Sequence, residues 1–135
     1  MSTPHRVVTA PGLAEPVGFA HAVVAAKGRT VYLGGQTAQG SDGAIVGASV
    51  TAQFDIAAGN VVTALRAAGA GPEHLVSLVI YVTDVAGYRA ALPELGAAWR
   101  RHFGRHYPAV ALLGVDALFD EDAVIELVGT AVVPD

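Results

Sequence analysis

A single carboxylate interrupts an apolar stretch near the end of the chain. Glu126 lies within Ala123-Val124-Ile125-Glu126-Leu127-Val128, where every other residue is apolar. Burial without a cationic partner favours the neutral form of a carboxyl group, and such a group can serve as a general acid or base. If the strand lies at a sheet edge instead, Glu126 points to water or pairs with an arginine. Both interpretations are open, and Glu126 is the candidate catalytic residue.

A histidine and an aromatic residue form a second candidate group. Phe19 and His21 are two positions apart in a β-rich segment, so their side chains point to the same face of a strand. They are expected to line one wall of a pocket. The alternative for His21 is a hydrogen-bonded structural role, because a pKa near neutrality only makes a proton switch possible.

The run Gly34-Gly35-Gln36 presents free backbone amides where a β-rich segment ends. It lacks the spacing of a phosphate-binding loop or of a dinucleotide-binding turn. Glycine at such a place indicates that a ligand or a neighbouring chain approaches the backbone closely. We therefore expect either a ligand or a neighbouring chain to contact Gly35 and Gln36.

A pair of histidines four residues apart could be mistaken for a metal site. Between His102 and His106 the chain has Phe103-Gly104-Arg105, which supplies no glutamate and contains a helix-ending glycine. Cysteine is absent, which removes zinc–thiolate sites, thiolate nucleophiles and disulfides. No metal site is expected.

These residues need strands and helices to hold them. Apolar residues recur at helical spacing from Val50 to Ala68, after Ser49 or Thr51 as cap and before a glycine-rich stop. A second helix is predicted between Asp84 and Gly104, with an apolar stripe of Tyr88, Leu92, Leu95, Trp99 and Phe103.

The remaining apolar runs are typical of β-strands. Val17–Ala26 and Thr30–Gln36 are predicted to form a hairpin, and Leu75–Thr83 is predicted to be a central strand covered on both faces. Two further strands are expected at Ala109–Leu113 and Val124–Val133. This order predicts a mixed sheet with two helices on one face. The other face would leave a large apolar surface, so the pattern favours oligomerisation.

Composition restricts the class of protein. The chain has 135 residues, which suits one domain over residues 1–135. It is 53% hydrophobic, yet no apolar run is long enough to span a membrane. The start lacks the pattern of an export signal, so a cytoplasmic location is expected. A net charge of -4 and a single lysine, Lys27, argue against nucleic-acid binding.

Several motifs resemble those of the RidA/YjgF family of reactive-intermediate deaminases, in similar order and spacing over nearly the whole chain. The matching stretches are Pro16–Val23 for a P-x-G-x-Y-S-Q-A-V opening, Val31–Gln36 for V-Y-x-S-G-Q, Gln53–Asn60 and Leu65–Gly69 for the first helix, Val79–Asp84 for V-Y-V-T-D, and Pro108-Ala109 and Ile125-Glu126 for closing P-A-R and I-E elements.

The resemblance implies a chorismate-mutase-like α+β fold: a mixed six-stranded sheet carries two helices on one face, and three copies form a trimeric barrel. It implies ligand clefts between subunits and hydrolysis of imines or enamines to a keto acid and ammonia, with no cofactor. The glutamate of the I-E element, here Glu126, would position water. The residues expected to bind substrate are Phe19, His21, Gly35, Gln36, Tyr107, Pro108, Ala109 and Val110.

The chain departs from the family pattern at the position that matters most for substrate. Val110 stands where the family has an arginine that grips the substrate carboxylate. A hydrogen bond to a charged group contributes ~1.5–3 kcal/mol, so ordinary 2-imino acid hydrolysis is not expected. Arg105 or His106 could supply a substitute cation. Other departures are Phe19 for Tyr, His21 for Gln, Gly34 for Ser, and Leu92 near the place of an Asn.

Two function hypotheses follow. The first is a deaminase or hydrolase acting on an imine, enamine or related amine, with Glu126 orienting water in a less polar pocket. The second is a non-catalytic, metabolite-binding or regulatory trimer, because the missing arginine can also mean lost catalysis. Ribonuclease activity, sometimes attached to the family, is disfavoured by the acidic charge.

Overall fold

The computed structural model describes residues 2–135. Its strands are β1 (Arg6–Val8), β2 (Ala22–Val24), β3 (Gly28–Tyr32), β4 (Leu75–Val82), β5 (Ala109–Gly114) and β6 (Ile125–Pro134). Its helices are α1 (Val50–Ala67), α2 (Val85–Ala90) and α3 (Leu92–Phe103), with a short 3-10 turn at Pro72–His74. The mixed α+β class expected from the sequence is confirmed.

The helices begin where the sequence predicts them, but the second one is divided. Ser49 Oγ accepts a hydrogen bond from the Ala52 amide at 3.1 Å and caps α1. Asp84 caps α2 through the Gly87 amide at 3.0 Å. The single helix expected from Asp84 to Gly104 is wrong, because the chain breaks at Ala91 and restarts with Pro93 in the first turn of α3. Proline has no amide hydrogen and suits a helix start.

The sheet is mixed, with strand order β3-β6-β4-β5. The β4–β5 pair is parallel, and the β3–β6 and β4–β6 pairs are antiparallel. β1 and β2 form a separate two-stranded sheet, so the continuous six-stranded sheet is not observed. An isolated bridge between Ala20 and Ala109 links the segment before β2 to the edge of β5.

The expected hairpin between the second and third strands is wrong. β2 pairs with β1, whereas β3 pairs with the end of β6, where Gly28 lies opposite Pro134. A Cβ on Gly28 would collide with the Val133 carbonyl, so this glycine permits a close strand approach and not a hairpin turn. The long β6 thereby gains partners on both sides.

The helices cover one face of the four-stranded sheet. Alternate residues of β4 and β6 point into this layer and are fully buried, including Leu78, Val82, Ile125 and Leu127. Their neighbours Val79, Tyr81 and Val128, on the opposite face, are only partly buried. The prediction of a single helical layer is confirmed. Among residues 2–135, no helix is long and apolar enough to cross a membrane.

Candidate functional site

Glu126 lies on the open face of the sheet. It is half-buried in β6, between the buried Ile125 and Leu127, and directly opposite Tyr81 of β4. The described ion pairs both involve Asp55, so Glu126 has no ion-pair partner within residues 2–135. The carboxylate is therefore accessible from the face without helices and is not neutralised by a cation of the described chain.

The backbone at Gly35 approaches the Glu126 carboxylate closely. A Cβ placed on Gly35 would collide with Glu126 Oε2 and would lie 2.9 Å from Cδ, whereas a Cβ on Gly34 meets nothing within 4 Å. Gln36 holds this segment against β6, since its amide and its carbonyl both bond to Leu127 at 2.8 Å. The structure thus brings Glu126, Gly35 and Gln36 together.

The group that lies close to the Gly35 backbone is the Glu126 carboxylate of the same chain. The sequence indicated a ligand or a neighbouring chain near Gly35, but the pairing of Gln36 with Leu127 was not predicted. Tyr81 was also missed as a neighbour of Glu126. Its alternation with the buried Ile80 and Val82 was the signal that it lies on the same face.

Phe19 and His21 lie in the irregular segment before β2 and not in a strand. Their rings are 5.9 Å apart in an edge-on arrangement. His21 Nδ1 accepts a hydrogen bond from the Ala10 amide at 2.9 Å, and Nε2 donates to the Ala14 carbonyl at 2.9 Å. Both ring nitrogens of His21 therefore hold the preceding loop, which contains Ala10 and Ala14.

The segment from Tyr107 to Val110 leads into β5. The Tyr107 ring stacks on Trp99 with centroids 5.6 Å apart, and Pro108 is fully buried. Ala109 pairs with Ser77, and Val110 pairs with Leu78 and packs against the hydrophobic core under the helices. The residue in the place of the family arginine therefore points into the helical layer.

The predicted site residues form two groups within one chain. Glu126 lies opposite Tyr81, and Ala109 lies opposite Ser77, on the other side of β4. From the rise per residue along a strand and the spacing between strands, Glu126 and Ala109 are about 16 Å apart. Gly35 and Gln36 belong with Glu126, whereas Phe19 and His21 belong with Ala109 through the Ala20–Ala109 bridge. A single chain does not bring the two groups into one pocket.

A cavity of about 340 Å³ accompanies the second group. Phe19 and Tyr107 line it together with Arg105 and the N-terminal segment. Arg105 and His106 were the candidates for a substitute cation. Arg105 is exposed, but His106 is buried and its Nε2 donates to the Leu75 carbonyl at 2.7 Å.

The histidines of α3 and of the segment after it have separate environments. His102 Nε2 bonds to Asp55 at 2.7 Å, and Arg101 bonds to the same oxygen at 3.0 Å. Burial alone would raise the pKa of Asp55, but the hydrogen bonds and the charge attraction from His102 and Arg101 together outweigh it and lower the pKa. No group of three or more metal-ligating side chains is found in residues 2–135.

Solved structures provide the first comparison. The Rid-family protein YyfB of Yersinia pestis, described as a protein of unknown function, is 32% identical, with a TM-score of 0.86, covering 96% of this chain and 98% of that one. A member of the YjgF/YER057c/UK114 family from Mycobacterium tuberculosis is also 32% identical, with a TM-score of 0.64, covering 87% and 88%. A Rhodopseudomonas palustris protein described as a probable translation initiation inhibitor is 26% identical, with a TM-score of 0.70, covering 100% and 96%.

Family-level sequence comparison agrees with these likenesses. No curated protein matches the chain. The profile of the family described as Endoribonuclease L-PSP matches residues 12–133. Because this match covers nearly the whole chain and the related structures share its fold, the protein belongs to the Endoribonuclease L-PSP family, which is the YjgF/RidA family.

Proposed function

We propose that this protein is a cofactor-independent deaminase that hydrolyses a small imine, enamine or related amine in clefts between subunits. The observation that carries the proposal is the Glu126 carboxylate, which lies against Gly35 on the open face of the sheet without a cationic partner in residues 2–135. A carboxylate held in this way can accept a proton from an attacking water.

Assembly as a homotrimer is part of the proposal. The open face carries apolar residues in neighbouring positions, such as the paired Val79 and Val128, which a free monomer seldom exposes as a continuous patch. The two groups of site residues are also far apart within one chain. Packing the open faces of three copies together would cover the patch and let one subunit's Glu126 meet the next subunit's Phe19 and Ala109.

The proposed reaction is hydrolysis of a carbon–nitrogen double bond. Water oxygen forms a bond to the imine carbon while Glu126 accepts a water proton, and Glu126 then delivers this proton to the imine nitrogen. In the resulting carbinolamine, Glu126 accepts the hydroxyl proton as the carbonyl forms and gives it to the amino nitrogen, so the carbon–nitrogen bond breaks and ammonia leaves. Imine and water give carbonyl product and ammonia, so atoms and charge balance.

The proposed substrate differs from a simple 2-imino acid. Val110 packs against the core and offers no charge to a substrate carboxylate. Loss of a charge-assisted hydrogen bond of ~1.5–3 kcal/mol lowers affinity for such an anion at this position. Binding would depend instead on apolar contact with residues such as Phe19, which is 39% exposed.

Ammonia release from imines without a carboxylate, generated in the assay from primary amines by an amine oxidase, tests the proposal. Wild type should accelerate release over the uncatalysed reaction, and Glu126→Gln should reduce the acceleration at least ~100-fold, the lower range for loss of a general base. Glu121→Gln, in the exposed turn before β6, removes the same charge and should keep full activity. Equal rates for wild type and Glu126→Gln would reject Glu126 as the base.

A non-catalytic metabolite-binding trimer is the second candidate, and Val110 in the place of the family arginine favours it. Tight binding of a compound that wild type never converts would support this alternative. RNA cleavage, which the family description names, is disfavoured because a net charge of -4 opposes phosphate binding.

A further inference from the structure

The N-terminal arm, residues 2–8, is attached to the rest of the fold at few points. It contains β1, which pairs with β2 over three residue pairs. Thr3 Oγ1 donates to the Glu73 carbonyl at 2.8 Å. His5 is the only buried residue among residues 2–8, with 6% of its surface exposed. The attachment of the arm therefore depends strongly on the contacts of His5.

Both ring nitrogens of His5 bond to backbone groups outside the arm. Nε2 donates to the His74 carbonyl at 3.0 Å, because a carbonyl oxygen can only accept. Nδ1 accepts from the Ala26 amide at 3.0 Å, so it carries no hydrogen and the ring is neutral. A protonated imidazole has a hydrogen on each nitrogen and accepts nothing. Protonation of His5 would therefore break its bond with the Ala26 amide.

The turn Pro72–His74, which receives the arm, has two further imidazoles around it. His74 Nδ1 accepts from the Gly71 amide at 2.9 Å, so this ring also uses a lone pair that an imidazolium lacks. His106 is buried and bonds to the Leu75 carbonyl. Burial lowers the pKa of His106 more than this bond raises it, and the nearby His5 lowers it further. Positive charges on these rings would therefore repel one another.

The charged groups around His5 give little support to a cation. The acidic residues on the elements beside it are Glu73, in the turn, and Asp135, which is exposed after β6. Neither forms an ion pair with His5, since both ion pairs within residues 2–135 involve Asp55. The remaining titratable or charged neighbours are Arg6, Lys27, His74 and His106. Protonation of His5 thus loses a hydrogen bond without gaining an ion pair.

We infer that the N-terminal arm is a pH-sensitive element, which a neutral His5 holds against the fold and which protonation of His5 releases. Because the docked ring must be neutral, attachment is complete above the range in which histidine titrates and weakens as pH falls through that range. Ser2, Thr3 and Val7 line the cavity of about 340 Å³, so release would open one of its walls. The inference concerns the arm alone and does not depend on the proposed deaminase.

Amide hydrogen exchange at pH 7.5 and at about pH 5.5, on either side of the histidine range, tests the inference when each rate is divided by its intrinsic rate. In wild type, protection of the Ala26 amide and of the β1–β2 pair should fall at least about fivefold in acid, roughly the contribution of one hydrogen bond. Leu78, at the buried centre of β4, reports global unfolding. Its protection should stay far above that of β1 at both pH values, which identifies exchange in the arm as local opening.

Two variants separate His5 from the other histidines. His5→Asn keeps a side-chain oxygen that can accept from the Ala26 amide at any pH in this range, so its arm should stay protected and change less than about twofold. His102→Gln is the matched control, because His102 of α3 bonds to the Asp55 carboxylate and not to the arm. This variant should keep the pH response of wild type.

Three results would overturn the inference: equal protection of the wild-type arm at both pH values, a wild-type pH response in His5→Asn, or loss of arm protection in His5→Asn at pH 7.5. The last result would show that the bond accepted from Ala26 does not hold the arm. The imine assay is independent, since absence of ammonia release would reject the proposed deaminase and leave the pH response of the arm unaffected.

Discussion

The side chains of Glu126 and Val110 project from opposite faces of the four-stranded sheet. Glu126 pairs with Tyr81, and Val110 pairs with Leu78, which is three positions away on β4 and fully buried under the helices. Because side chains alternate along a strand, the two positions cannot face each other within one chain. An arginine at position 110 of this chain would point into the helical layer.

Val110→Arg should therefore destabilise the protein without creating a carboxylate site. Burying an unpaired charge against the core should lower the free energy of unfolding by about 2–4 kcal/mol. Urea denaturation measures this change. Val110→Met is the uncharged control of comparable length and should lose less stability than Val110→Arg, because it adds volume without burying a charge. Wild-type stability together with new binding of pyruvate would contradict the assignment of Val110 to the core.

The open sheet face supports a prediction about assembly. Val79 and Val128 are paired at the centre of this face, so Val79→Asp would place a charge in any interface that covers it. We expect wild type to elute with the mass of three chains in size-exclusion chromatography with light scattering, and Val79→Asp to elute as one chain. Thr63→Asp, exposed on α1, should remain trimeric. A monomeric wild type would refute the trimer.

Features determined by nearby residues were predictable from the sequence. Periodic apolar residues after Ser49 gave the correct position of α1, and the apolar run from Leu75 gave β4. The break at Ala91 was missed because the apolar stripe continues across it, although Pro93 was the local signal. The strand expected over Val17–Ala26 is shortened to β2, and it begins after Gly18, whose φ of +77° is unsuited to a strand.

Features that depend on distant parts of the chain were not predictable. β3 and β6 are separated by most of the sequence, and no local pattern distinguishes this pairing from a β2–β3 hairpin. The candidate site shows the same division. Glu126 was identifiable as a carboxylate in an apolar strand, but its contact with Gly35 depends on the Gln36–Leu127 bridge between two distant segments.

His106 should make stability depend on pH below neutrality. Burial lowers its pKa from 6.5, a shift only partly offset by its hydrogen bond to the Leu75 carbonyl. Between pH 6.5 and the lower pKa of the folded state, the unfolded chain therefore binds more protons than the folded chain. The free energy of unfolding decreases as the pH falls through this range. Urea denaturation between pH 7.5 and about 5 measures this slope, since most carboxyl groups titrate at lower pH.

The matched variant for this dependence is His106→Gln, which has no ionisable group at the position. Its unfolding free energy should vary less with pH than that of wild type over the same range, whatever its absolute stability. Direct titration of the His106 ring protons should give a midpoint below 6.5. A midpoint above that value, or identical slopes for the two proteins, would reject the buried neutral imidazole.

The pair Gly34 and Gly35 allows the position of the Glu126 carboxylate to be tested by adding one methyl group. A Cβ at Gly35 collides with Glu126 Oε2, and the side-chain end can move to relieve the contact, whereas a Cβ at Gly34 meets nothing within 4 Å. Gly35→Ala should displace the carboxylate and reduce ammonia release about tenfold or more, because misplaced catalytic groups lose much of their effect. Its stability should change by less than about 1 kcal/mol. Gly34→Ala should keep both activity and stability, and equal activity of the two variants would show that the carboxylate position beside Gly35 is not needed.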